Sequence, residues 1–150
     1  MRSHQAECHL AFIKEDVVVQ RYSDRTLVLV TQLGKIGNLI QASIPPTTGL
    51  PPLTDQLPPP LPAIHLTPLL GSASSEHVQT LHSLYVSQIA TLVWVYDASS
   101  AVDTGRKAVV VGLALKKLSD GDEGLTEDEK LVFREVMNLV QDMLKQYSSV

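Results

Sequence analysis

Apolar positions along this chain follow two periods. Over residues 17–22, 26–32 and 38–43, Val, Leu, Ile and Thr gather in short runs bounded by polar or glycine-containing breaks, as β-strands do. Ser23-Asp24 forms a short turn between the first two runs. Gly34-Lys35-Ile36-Gly37 forms the next, where glycine takes positive φ at little cost. Three successive strands joined by tight turns predict an antiparallel meander. Residues 63–70 read as a fourth strand, pushed to an edge or an end by Pro68. Residues 108–115 read as a fifth, after Gly105.

Elsewhere the period is helical. Ser74-Ser75 with Glu76 in the first turn marks a helix start, and Val78, Leu81, Tyr85, Ile89, Leu92 and Tyr96 recur at helical spacing. Residues 91–96 could also form a strand, but the stripe runs through them in phase, so helix is preferred. A second helix is predicted over 127–147. Thr126 and Glu129 have capping-box spacing, and Val132, Val136, Val140, Met143 and Tyr147 line one face. The order of elements predicts an α+β fold with a mostly antiparallel sheet of five to six strands and two main helices packed on one face.

That sheet has a surplus of apolar surface. Successive strand residues point to opposite faces, yet Leu27, Val28, Leu29 and Val30 are all apolar, and residues 108–115 behave alike. One helix per face would cover both sides within the monomer. A partner sheet stacked on the open face would do so between chains. The second arrangement is favoured because residues 89–96 of the first helix are apolar on most sides. The expected partner interface therefore comprises Leu27, Val28, Leu29, Val30, Val109, Val111, Leu113 and Trp94. Whether the partner is a second copy or a different protein stays open at this point.

Composition narrows the classes. The chain has 150 residues, enough to bury roughly 68–70% of its unfolded surface in one domain. All nine prolines fall between Pro45 and Pro68, giving a proline-rich loop at about 44–62 inside that single 1–150 domain, since neither flank alone could close a core. The net charge of −4 and scattered cations argue against nucleic acid. Residues 1–10 do not read as a signal peptide, and the longest apolar stretches fall far short of the ~20 residues a membrane span needs. Cys8, the lone cysteine, excludes an internal disulfide and fits a reducing compartment. A cytoplasmic protein, with access to the nucleus, is expected.

Candidate chemistry is sparse. The Gly34–Gly37 turn lacks the spacing and Ser/Thr of a P-loop, and the helical flanks and basic surface of a GxxG RNA-binding loop. His4, His9, His65, His77 and His82 show no metal-ligand register. There is no GxSxG, and Cys8 beside His9 reads as an ordinary thiol. No catalytic residue, metal or cofactor is expected. A hydrolase or transferase would need a pocket converging near Asp97, Asp103 and His82. The acidic run from Asp120 to Glu129 lacks an EF-hand register and ends at a helix start, where negative charge suits the helix dipole. Leu57-Pro58-Pro59-Pro60-Leu61-Pro62 favours polyproline II, the conformation that SH3, WW and EVH1 domains read, although most such loops are stiff, mobile spacers.

The run Thr26-Leu27-Val28-Leu29-Val30-Thr31-Gln32-Leu33-Gly34-Lys35-Ile36-Gly37-Asn38-Leu39 resembles the hairpin of the proteasome assembly chaperone 3 family. The likeness continues more weakly through Leu69-Leu70-Gly71, the apolar helix before Asp97, and residues 108–116 with the helix that follows. The resemblance implies a non-enzymatic chaperone. It would pair with a related small subunit of the proteasome assembly chaperone 4 type and guide proteasome α-subunits into the seven-membered ring. A homodimer of the isolated chain stays open. The proline-rich and acidic segments look longer than the family's, so no α-subunit contact residues carry over. The rival reading is a dimeric α+β scaffold of the trafficking type.

Overall fold

The computed structural model describes residues 2–10, 13–31, 37–73, 75–99, 106–115 and 126–148. Six strands and two helices follow one another as β1 (Arg2–Leu10), β2 (Ile13–Arg21), β3 (Arg25–Thr31), β4 (Asn38–Ser43), β5 (His65–Leu70), α1 (Glu76–Ser99), β6 (Ala108–Ala114) and α2 (Glu127–Ser148). They form one sheet in the order β1-β2-β3-β6-β4-β5, antiparallel except for the β3–β6 pair. The expected α+β fold, with a mostly antiparallel sheet and two helices, is what the chain adopts.

The topology corrects the expected meander in its third strand. β1, β2 and β3 do pair in succession. β4, however, does not pair with β3. β6 lies between them, parallel to β3 and antiparallel to β4. The reason is burial. β6 (AVVVGLA) has no polar side chain, and six of its seven residues are buried, so it gains most from a central position with a neighbour on each side. Residues 26–40 are therefore two strands separated by a third, and no hairpin. Gly34, Lys35 and Ile36 of the expected turn lie outside the described residues; the Gly37 N–H donates to Leu113 O at 3.1 Å and extends the β4–β6 ladder.

β1 is an element that the hydrophobic pattern did not suggest. Its sequence, RSHQAECHL, has neither alternation nor β-branched residues, and it takes its place by pairing along β2, from Arg2 opposite Arg21 to Leu10 opposite Ile13. At the opposite edge, β5 ends at Gly71, whose φ of +78° is the left-handed region. A side chain there would also collide with Gly37 O and Asn38 Oδ1, so glycine is required.

The inner sheet face is a layer of small branched residues in register. Val17 lies opposite Val30, Val19 opposite Val28, Val28 opposite Val111, and Val111 opposite Ile40. Val17, Val19, Val28, Val30, Val109, Val111 and Leu113 are fully buried there with residues of both helices. α1 lies over β4 and β6, and α2 over β1 and β2. The helices touch through Tyr85 and Phe133, whose rings meet edge to face at 5.0 Å.

Capping explains where the helices begin. In α1 the Ser75 hydroxyl accepts from Val78 N–H at 3.2 Å. In α2 the expected capping box is present: Glu129 N–H donates to Thr126 Oγ1, and Thr126 N–H donates to Glu129 Oε1 at 3.0 Å. Each such cap contributes about 1 kcal/mol.

Candidate interaction surface

Alternation along the strands sends a second set of residues to the other sheet face. Val18 lies opposite Leu29, Leu29 opposite Gly112, Gly112 opposite Leu39, and Leu39 opposite Leu70. These five residues form an apolar band across five adjacent strands. Gln20, Leu27, Val110, Gln41 and Thr67 form the row beside it, with Asp16, Thr31 and Ala114 on the other flank. Val18, Leu27, Leu29 and Leu39 are half-buried, and Leu70 is exposed. The inner-face neighbours of Leu27 and Leu29 are wholly buried, so the contrast separates the two faces of one strand.

This phase corrects the expected interface. Val28, Val30, Val109, Val111, Leu113 and Trp94 belong to the chain's own core beneath α1 and α2, where no partner reaches them. Only Leu27 and Leu29 of the eight lie on the other face. Trp94 also has a fixed internal task. Its indole N–H donates to Lys107 O at 2.8 Å, tying α1 to the start of β6. Val18, Leu39, Val110 and Gly112 were missed. The signal for Val18 was present in Asp16-Val17-Val18-Val19-Gln20, where Asp16 and Gln20 share its face and mark that face as the less buried one.

The apolar girth of α1 also has an internal cause. Every residue from 88 to 97 is buried, because the proline-rich segment lies along the side of α1 that faces away from the sheet. The Gln88 side-chain amide donates to Pro58 O at 2.7 Å. Leu61 N–H donates to Thr91 Oγ1 at 3.2 Å, while the Thr91 hydroxyl donates to Ser87 O. Arg106 donates to Thr48 O, and Leu50, Leu61 and Ile64 pack on the core. The segment is a strap, contrary to the mobile spacer expected, and it removes one of the two arguments for a partner. The sheet argument remains.

The polar groups near the helices are engaged structurally. Arg21 pairs with Asp97 at 2.6 Å, joining β2 to the end of α1. His77 Nε2 meets Glu129 Oε2 at 2.8 Å, clasping the N-terminal ends of both helices. Burial opposes ionisation of Glu129, but the Thr126 N–H and the His77 ring outweigh it and hold the carboxyl below its ordinary range. Burial lowers the pKa of His82, which favours its neutral form.

No catalytic constellation emerges from the described residues. His82 and Asp97 sit fifteen residues apart on α1, roughly 22 Å along its axis, so they cannot converge. Asp103 lies outside the described residues. A hollow of about 400 Å³ is lined by Leu53, Thr54, Asp55, Tyr96 and Lys145. Burial, and then the nearby carboxylates of Asp55 and Asp142, raise the Tyr96 pKa, which leaves the phenol protonated and a poor base. No group of three or more His, Cys, Asp and Glu that could hold a metal occurs among the described residues. No helix among them is long and apolar enough to cross a membrane. Residues 120–125 of the acidic run lie outside the description, and Glu127–Glu129 open α2.

No family model matches the chain, and no curated protein matches it by sequence. Among solved structures, the fold is similar to a chain of a yeast 20S proteasome assembly chaperone complex. The TM-score is 0.59 at 16% sequence identity, with 96% of this chain and 99% of that chain covered. Identity this low establishes a shared fold, end to end.

Proposed function

We propose that this protein is a non-enzymatic chaperone of proteasome core-particle assembly. It works as a pair with a related small subunit of the proteasome assembly chaperone 4 type, in the cytoplasm with access to the nucleus. The pair holds proteasome α-subunits while their seven-membered ring forms, and leaves as assembly proceeds. The observation that carries this reading is the apolar band Val18–Leu29–Gly112–Leu39–Leu70 on the sheet face opposite both helices. The fold shared with the yeast assembly chaperone complex, and the resemblance of residues 26–39 to the chaperone 3 family, support it.

The physical logic is association by sheet stacking. Five strands, each about 4.8 Å wide and about six residues long, give a face of roughly 24 by 20 Å. That is on the order of 500 Å² before side-chain relief, against about 800 Å² per partner in a standard interface. The face can supply the apolar centre of a stable pair, with loops at its rim supplying the remainder. Gly112 has no side chain above the sheet at the middle of the band, which lets an opposing side chain settle between Leu29 and Leu39. Binding energy alone does this work, so no reacting group is needed.

Co-expression with a chaperone 4-type subunit, followed by native mass measurement, tests the reading. The expected product is a one-to-one complex that captures a proteasome α-subunit. Leu29→Asp should abolish the complex while leaving the fold intact. A folded protein that binds neither partner would sink the proposal, and recovery of trafficking subunits in their place would favour the rival scaffold reading. Mass measurement of the isolated chain decides whether it also pairs with itself.

A further inference from the structure

The strap carries a second surface that chaperone pairing does not use. Residues 45–64 contain eight prolines, no Lys or Arg, and one acidic residue, Asp55. Within 57–62 the exposure repeats every three residues. Pro58 and Leu61 are the half-buried positions, while Leu57, Pro59, Pro60 and Pro62 are exposed. Three residues per turn is the period of polyproline II. One edge of the ridge is thus laid on α1, held by the Gln88 amide at Pro58 O and by Thr91 Oγ1 at Leu61 N–H. The other two edges face solvent, with Pro59 and Pro62 three apart on one of them. A turn at Pro62-Ala63 then brings Ile64 back against the core.

We infer that this ridge is a docking site for a protein module with an aromatic-lined polyproline groove of the WW type. Such grooves stack flat aromatic rings against prolines spaced three apart, and they favour ligands already held in polyproline II. The strap offers that proline spacing, and its exposure repeat of three residues over 57–62 matches the period of polyproline II. Pro59, Pro60 and Pro62 are presented outward, and α1 has already removed much of the conformational freedom that a free peptide loses on binding. The lack of cations in the segment favours recognition by ring stacking over a groove that also needs a basic flanking residue. The site is separate from the open sheet face, so both can be occupied at once.

The test is calorimetric titration of the intact chain with an isolated WW domain that binds Pro-Pro-Leu-Pro peptides. A synthetic peptide of residues 55–64 serves as the reference. The intact chain should bind roughly tenfold tighter than the peptide, the gain from holding the ridge in place. The double variant Pro59→Ala with Pro62→Ala should lose at least about tenfold in affinity, with an unchanged melting temperature as the control for folding. Thr91→Val, which frees the Leu61 end of the strap, should bring the intact chain toward the peptide's affinity. The inference is overturned if the intact chain fails to bind or binds no tighter than the peptide. It is equally overturned if the proline variant, still folded, binds like the parent.

Discussion

The two faces of the sheet are made by the same strands and carry nearly the same kinds of side chain, yet they do different work. On one face Val17, Val19, Val28, Val30, Val109, Val111 and Leu113 are wholly buried under α1 and α2. On the other, Val18, Leu27, Leu29 and Leu39 keep part of their surface exposed, with Gln20, Gln41 and Thr67 among them. An apolar strand therefore does not by itself say whether its second face is buried within a chain or between chains. The small polar residues interleaved with it do. A face that must exclude water permanently has few of them, and a face that is wet part of the time tolerates them.

Substitutions that damage one face and spare the other put this comparison at risk. The largest loss is expected at Trp94, which is fully buried and donates to Lys107 O. Trp94→Ala should destabilise by about 3–5 kcal/mol in urea titration, and a loss under about 1 kcal/mol would show that the inner face is looser than described. Next comes Thr91→Val, which strands the Leu61 N–H beneath the strap. An unsatisfied buried donor costs about 1–3 kcal/mol, and amide exchange at Leu61 should accelerate with it.

Glu129→Gln should cost about 1 kcal/mol near neutral pH, since it weakens a capping box and the His77 clasp together. The carboxyl's folded pKa lies below its ordinary 4.5. Its contribution is therefore fully present above that value and is lost as pH falls through the lower, folded one. Melting curves of parent and variant should accordingly converge as the pH falls below the ordinary carboxylate range. The smallest effect on stability belongs to the outer face. Leu29→Asp should change the unfolding free energy by under about 1 kcal/mol while abolishing pairing. If it unfolds the chain as Trp94→Ala does, the two faces are not distinct and the stacking proposal loses its basis.

How far the sequence could be read follows the range of the interactions involved. α2 is a local object. Thr126 and Glu129 announce its start, and Val132, Val136, Val140 and Met143 announce its buried face. β2 and β3 are legible for the same reason, being joined by a turn in which Tyr22 N–H donates to Arg25 O at 2.8 Å. β1 was not legible, because a polar strand is selected by its neighbour and has no pattern of its own. The order β3-β6-β4 was not legible either, since nothing near residue 31 says that residues 108–114 will arrive beside it. The candidate surface shared that limit. Leu27 and Leu29 could be named as apolar, but assigning them to the outer face required knowing that α1 and α2 cover Val28 and Val30. The strap inverted an expectation in the same way. Prolines suggest a loose tether until Gln88 and Thr91, some thirty positions onward, are found holding it.

The placement of β6 has a consequence for how the protein is made. Its neighbours β3 and β4 both precede it in the chain, and each has an edge that only β6 completes. Arg25 cannot meet Ala108 until more than half the chain has followed it. Within the sheet β1-β2-β3 and β4-β5 are joined only through β6, a long-range closure of the kind associated with slower folding. Without β6, the edges of β3 and β4 that face it would present unpaired backbone N–H and C=O groups to any other strand. A protein of this design has its greatest need for protection before its own central strand is in place.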